Sequence, residues 1–221
     1  MREPGRLQST VDIAAACADV IERVRAHSPR VHCITNAVAQ NFTANTLLAL
    51  GARPSMTISP EEIGSFVAGA DALLVNLGTF DAARRGPRAL RLNRAEFSAL
   101  ASSEPDGEAL RRYARDALTV IGLTGETDVV TDGTRVAAIR NGHPLMSRVT
   151  AMGCVASALV AACLAVEGDP WLATTAALLA FGVAGEGAAA HAHGPGSFAS
   201  EILDALDRLD RDGLLARAKV A

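Results

Sequence analysis

Residues 141–154, NGHPLMSRVTAMGC, are the stretch of this sequence best suited to chemistry. They read as a strand end, a turn of small residues, and the start of a long helix near Gly153 or Cys154, which continues as an apolar run to residue 166. Thr150, Ala151 and Gly153 let the backbone come close to whatever lies in front of it. The first amides of a helix lack partners inside the helix, and the helix dipole adds partial positive charge at that end. Such an end favours a phosphate or a developing anion. Cys154 sits on it, where a thiol is biased toward thiolate. The same pattern also describes a plain tight turn with a buried cysteine feeding a core helix.

The elements that would position this turn follow from periodicity. Residues 10–27 repeat apolar side chains mostly at three- and four-residue steps, which predicts a helix. A short strand is expected at 31–35 and a helix at 41–50, with Asn41 or Thr43 as cap and Gly51 as stop. Residues 56–58 read as another short strand. Ser59-Pro-Glu-Glu opens a helix running to about residue 70. Residues 72–77 form a nearly continuous apolar run, expected of a strand buried on both faces. Residues 80–88 start like a helix and stop within two turns. Beyond them come a strand at 90–93, helices at 94–101 and 106–116, and a buried strand at 118–123. Paired strands are expected at 128–131 and 135–140, turning at Asp132-Gly133. Three helices close the chain, at 153–166, 170–190 and 197–209, the last capped by Ser197. Alternating strands and helices predict a single α/β domain over residues 1–221, with a mostly parallel central sheet. Ligands of such sheets sit at the carboxyl ends of the strands. The polar turns after several strands, among them Thr35-Asn36 and Thr124-Gly125-Glu126, are therefore expected to share a crevice with the helix start at Gly153.

Composition narrows the function classes. Aromatics make up 4% of a chain that is 49% hydrophobic, so the core must be built from Ala, Leu and Val. A net charge of -3, with acids and bases interspersed, argues against nucleic acid and offers no polybasic membrane patch. Cys17, Cys33, Cys154 and Cys163 form no CxxC pair and no zinc-like spacing, as expected of reduced thiols in the cytoplasm. The polar N-terminus reads as no signal peptide. The apolar run at 151–166 is cut by Glu167-Gly-Asp-Pro170, too short for a membrane span. His32 and His143 read as structural, and His191 and His193 lack a carboxylate partner in pattern.

Nine segments, taken in order, resemble the hydroxyethylthiazole kinase family. They are VHCITN (31–36), NFTAN (41–45), LGARPSM (50–56), VNLGT (75–79), RLNRAE (91–96), LTGETD (123–128), the 141–154 block, FGVAGE (181–186) and GPGSF (194–198). The resemblance covers nearly the whole chain. It implies a ribokinase-like three-layer α/β/α fold and transfer of the ATP γ-phosphate to the primary alcohol of 4-methyl-5-(2-hydroxyethyl)thiazole, in thiamine salvage. It also implies Mg²⁺ as cofactor and a homotrimer with thiazole sites between subunits.

Phosphoryl transfer asks for positioning and charge neutralisation more than for covalent chemistry. By resemblance, Arg91 grips the nucleotide phosphates, a task that suits a planar, permanently charged fork. Thr124 and Gly125 contact the nucleotide, and Glu96 assists the metal, since a hard cation wants carboxylate and water oxygens. Met56 packs on the thiazole ring through its polarizable sulfur, with Asn36 and Val38 lining the pocket. Ala151, Met152, Gly153 and Cys154 form the anion hole. Cys154 stands nearest the substrate hydroxyl, as a base or as a group that only positions the alcohol.

Two departures from the family pattern stand out. Ala151 occupies a position where the family usually has glycine; if that position needs φ > 0, alanine adds strain. Between Thr79 and Arg91 the family carries a few dozen more residues: a helix, a strand ending in Asp-Pro-Val-Gly whose aspartate serves the metal and phosphate, and a loop. Eleven residues, 80–90, bridge that gap here. A crossover between parallel strands needs a dozen or more. The segment is therefore either deleted or left out of the sequence as written. The departures leave open a catalytically impaired paralogue that binds thiazole or nucleotide, and a ribokinase-like enzyme for another small metabolite.

Overall fold

A computed structural model describes residues 10–57, 59–76 and 86–221. The elements run α1 (Thr10–His27), β1 (Arg30–Ile34), α2 (Ala37–Leu50), β2 (Arg53–Ser55), α3 (Pro60–Ala68), β3 (Ala72–Val75), β4 (Ala89–Asn93), α4 (Arg94–Ala101) and α5 (Gly107–Asp116). The chain continues with β5 (Val120–Thr124), β6 (Asp128–Thr131), β7 (Val136–Ile139), a 3₁₀ turn (Pro144–Arg148), α6 (Met152–Val166), α7 (Pro170–Ala189), α8 (Pro195–Asp207) and α9 (Arg211–Arg217).

The α/β class is as expected, but the described strands form two sheets instead of one. In the first, the order is β2-β1-β3 and both pairings are parallel. In the second, the order is β4-β5-β6-β7; β4 and β5 are parallel, and β5-β6-β7 is an antiparallel meander. The chain end returns to β7 through an Ile139–Val220 bridge. No ladder joins β3 to β4 among the described residues. The residues between them that bear on the predicted crossover, 77–85, lie outside the described ones.

Two apolar clusters fill the structure. Leu90, Leu92, Ile121 and Leu123 point to one face of the second sheet and pack with Phe97 of α4 and Leu110 of α5. The other face belongs to the main core, where α6 and α7 are buried nearly all round. That explains why these two helices are Ala-rich and carry little polar pattern: every side packs against protein. α7 is long and apolar enough to cross a membrane, yet it serves here as the central core helix.

Several local expectations shift. α2 starts four residues early because Asn36, not Asn41 or Thr43, is its cap, taking the amide of Ala39 at 3.0 Å. Thr43 is instead buried within the helix. Gly51 ends α2 in the left-handed region at φ 101°. The second strand ends at Ser55, so Met56 follows it instead of opening a strand, and Ile58 lies outside the described residues. Leu118 is 91% exposed with φ 50°, so the buried strand begins only at Val120. α8 begins at Pro195 with Gly194 as cap; Ser197 sits in its first turn and accepts the amide of His193 at 2.9 Å. Helix α9 had no signal strong enough to read.

Candidate functional site

The second sheet delivers Arg91 by strand alternation. Leu90 and Leu92 point into the α4–α5 cluster, so Arg91 points to the opposite face. Its partner in the ladder is Gly122, over which Thr174 and Leu178 of α7 pack closely. Thr124, two residues beyond Gly122, stands on the same face. Its hydroxyl accepts from Arg91 Nη2 at 2.6 Å and Nε at 3.1 Å. The hydroxyl in turn donates to the Leu92 carbonyl at 3.4 Å. Arg91 is thus held rigidly while its Nη1 stays free of a close carboxylate, with Glu96 at 3.8 Å. Burial pushes the guanidinium pKa down, against the pull of Glu96, Asp128 and Cys154.

That Nη1 lies against the start of α6. A Cβ built on Gly153 would come within 2.7 Å of it. An arginine and the first amides of a ten-plus-residue helix therefore converge on one point, and both favour an anion. Cys154 follows directly. It is half-buried, whereas Cys17, Cys33 and Cys163 are buried. Burial pushes the Cys33 and Cys163 thiols up to about 12, so those are inert packing groups.

The first sheet contributes Asn36 from the end of β1. Because its Oδ1 is tied up in capping α2, its amide nitrogen is turned toward Cys154, 4.0 Å from Sγ. Ala151, the residue before α6, has φ 69° and ψ 2°, the left-handed conformation in which alanine is strained.

Glu96 has a structural role besides any at a metal. It closes a capping box with Asn93: Glu96 Oε2 takes the Asn93 amide at 2.7 Å and Asn93 Oδ1 takes the Glu96 amide at 2.8 Å. Among the described residues no group of three or more His, Cys, Asp or Glu could hold a metal ion. Glu96, half-exposed and 3.8 Å from Arg91, is the carboxylate that a hydrated Mg²⁺ carried by a nucleotide would meet here.

Arg91, Thr124, Gly153, Cys154 and Asn36 are therefore brought together, with Gly125 next to Thr124. Met56 is half-buried and packs against the main core. Val38 is 73% exposed in the first turn of α2. A cleft of about 550 Å³ lined by Arg88, Thr119, Asp132 and Arg135 opens at the opposite, amino-terminal ends of β4 and β5. No predicted site residue lines it, and Arg135 is already committed to Asp132 and Asp169.

The family model for "Hydroxyethylthiazole kinase family" matches residues 21–100 and 98–212. The chain belongs to the hydroxyethylthiazole kinase family. A "Probable hydroxyethylthiazole kinase" of Agrobacterium fabrum is 40% identical, covering 94% of this chain and 95% of that one. The structure of a hydroxyethylthiazole kinase protein of Pyrococcus horikoshii OT3 is similar at a TM-score of 0.86 and 35% identity, over 93% of this chain and 98% of that one. A ribokinase-like superfamily protein of Enterococcus faecalis V583 shares the fold, with a TM-score of 0.66 at 12% identity over 88% of this chain and 95% of that one. The Agrobacterium alignment spans 238 residues, more than the 221 of this chain. That kinase relative therefore carries internal residues with no counterpart here.

One residue beside this candidate site, Asp128, stands out only in the structure. Asp128 closes the turn after β5, its Oδ1 taking the Gly125 amide at 2.9 Å. Burial pushes its carboxyl up to about 6, although that amide and Arg91 pull the other way. The signal was present in LTGETD, but in sequence a strand-opening aspartate looks like an ordinary turn residue.

Proposed function

We propose that this chain transfers the γ-phosphate of ATP to the primary alcohol of 4-methyl-5-(2-hydroxyethyl)thiazole, a thiamine-salvage reaction. The observation that carries the reading is the Arg91 guanidinium lying against Gly153, with Cys154 next in the chain. Arg91 and the α6 amides receive the transferring phosphate, whose charge spreads over its outer oxygens. Thr124 fixes Arg91, and Gly125 gives the nucleotide room to approach. Cys154, with the Asn36 amide turned toward its sulfur, meets the substrate hydroxyl and holds it in line with the phosphate. Met56 and Val38 supply the apolar wall for the ring. Mg²⁺, entering with ATP beside Glu96, neutralises phosphate charge when bound. The reading includes a cytoplasmic homotrimer, supported by Val38 and Leu48, both well exposed on α2.

The residues this chain lacks fall, on this reading, between β3 and β4. Among the described residues two parallel sheet edges are left unjoined there, and Leu73 and Val75 of β3 are 44% and 50% exposed. A helix and strand would cover them. The intact mass of the expressed protein tests this: a mass a few dozen residues heavier than the sequence means that the segment exists.

A second reading, a binder without turnover, is favoured by the strained Ala151 and by the same gap. A coupled ADP-release assay separates the two. ADP release that depends on the thiazole alcohol and exceeds that with a hydroxymethylpyrimidine supports the kinase. Bound ligand without ADP supports the binder, and a preference for the pyrimidine points to another metabolite.

A further inference from the structure

We infer that Asp128 is a positioning residue of the nucleotide side: it fixes the turn that carries Thr124, and through Thr124 it fixes Arg91. The inference rests on the nucleotide site proposed above. The β5–β6 ladder runs from Ile121–Thr131 to Leu123–Val129 and stops there. Beyond it, Thr124 still pairs with Asn93 of β4 and Asp128 with Ile139 of β7, but residues 125–127 between them are unpaired, and the side chain of Asp128 closes that turn on the Gly125 amide at 2.9 Å. The residue before Gly125 is Thr124, whose hydroxyl takes two guanidinium N–H groups of Arg91. The next contact is Arg91 against Gly153. A chain of close contacts thus runs from Asp128 through the turn to the helix end that receives the phosphate. Asp128 acts on Arg91 directly by charge alone, and it positions the guanidinium through Thr124.

Burial works against the charge of Asp128 in the fold. Its carboxyl is pushed up from the usual carboxylate range to about 6 by burial. An acid whose folded pKa is raised binds its proton more tightly in the native state. Stability then falls as pH rises from about 4 through 6, and the deficit is fully present at neutral pH. A turn built for stability alone would use a neutral acceptor, and Asn fits the same geometry. The charge is affordable next to Arg91, which gains from it electrostatically.

The test uses the full chain and AMP-PNP with Mg²⁺, followed by calorimetry. Asp128→Ala should weaken AMP-PNP binding about tenfold while leaving affinity for the thiazole alcohol within twofold. Asp128→Asn keeps the Oδ1 acceptor, so it should bind within about threefold of wild type and melt no lower at pH 8. In a cycle with Thr124→Ala, the double variant should lose little more than either single one, since both changes release the same guanidinium. Multiplying losses would overturn the inference, because Asp128 would then act independently of Thr124. So would an Asp128→Asn variant as weak as Asp128→Ala, or an Asp128→Ala variant that binds like wild type. A wild-type chain that binds thiazole alcohol but no AMP-PNP removes the nucleotide site itself, and this inference with it.

Discussion

The two sheets of this protein have been finished to different degrees. The second is clad on both faces: Ile121 and Leu123 are buried against α4 and α5, and Val120 and Val130 lie in the main core. The first is clad fully on one face and only partly on the other. Leu74 faces the core, while Leu73 and Val75, in register with His32 and Ile34, stand half in solvent. α3 reaches His32 through Phe66, with ring centroids 5.6 Å apart, but leaves the outer strand open. The proposed site straddles this division. Its nucleotide side is built on the finished sheet, where Arg91, Thr124 and Gly125 are fixed by hydrogen bonds to one another or to close neighbours. Its thiazole side hangs on Met56, in the loop after β2 and held by packing, and on Val38, well exposed in the first turn of α2. Binding of the nucleotide is thus preorganised to a degree that binding of the alcohol is not.

The largest expected effect tests the cladding directly. Ile121→Ala empties a fully buried position and should cost about 2–5 kcal/mol of unfolding free energy. Val75→Ala removes half-exposed methyls and should cost under about 1 kcal/mol. Urea unfolding of both variants gives the two numbers. Equal losses would mean that β3 is covered in solution, by a neighbouring copy or by residues absent from the sequence.

The division of the site predicts a matching split in kinetics. Arg91→Ala removes charge-assisted bonds to phosphate, each stronger than a neutral hydrogen bond. The KM for ATP should rise roughly 100-fold, equivalent to about 2.7 kcal/mol, with the thiazole KM nearly unchanged. Met56→Ala should do the reverse and raise the thiazole KM about tenfold, about 1.4 kcal/mol. ATP kinetics that ignore Arg91 would take it out of the site. A Met56 variant that loses stability instead of thiazole affinity would return Met56 to the core, against which it already packs.

How much of this was legible in the sequence depended on whether the signal was local. Helix α1 was read to the residue because six of its buried positions repeat at helical spacing. Arg91 was legible through the RLNRAE segment and its resemblance to the family, and strand alternation then turns it away from Leu90 and Leu92. Asn36 as cap of α2 was missed: Asn41 and Thr43 are equally good cap residues in isolation, and only the angle at which β1 meets α2 decides among them. Leu118 was misread for a related reason. Its apolar side chain continues the strand pattern, but the end of α5 forces it into the left-handed region and out to solvent. The split of the sheet left a trace, an interval too short for a parallel crossover. Which faces it would bare depends on tertiary packing, which periodicity does not encode.

The smallest expected effect falls where the two halves meet. Ala151 starts α6 at φ 69°, a conformation that costs a residue with a Cβ about 1–2 kcal/mol. Ala151→Gly relieves that cost but loosens the unfolded chain, which takes back about 0.4–1 kcal/mol. The net should be a gain of roughly 0.5–1 kcal/mol, or about 1–4 °C in Tm for a chain of this size. Calorimetry of the pair reads it. The accompanying change in turnover decides which half limits the enzyme. If the methyl crowds the hydroxyethyl arm, Ala151→Gly lowers the thiazole KM and leaves the ATP KM alone. If it holds the α6 amides out of line with Arg91, kcat rises instead. A variant that melts lower than wild type would mean that the Ala151 methyl packs well enough to outweigh its backbone strain, and the helix start would then be tuned for rigidity at the junction of the two sheets.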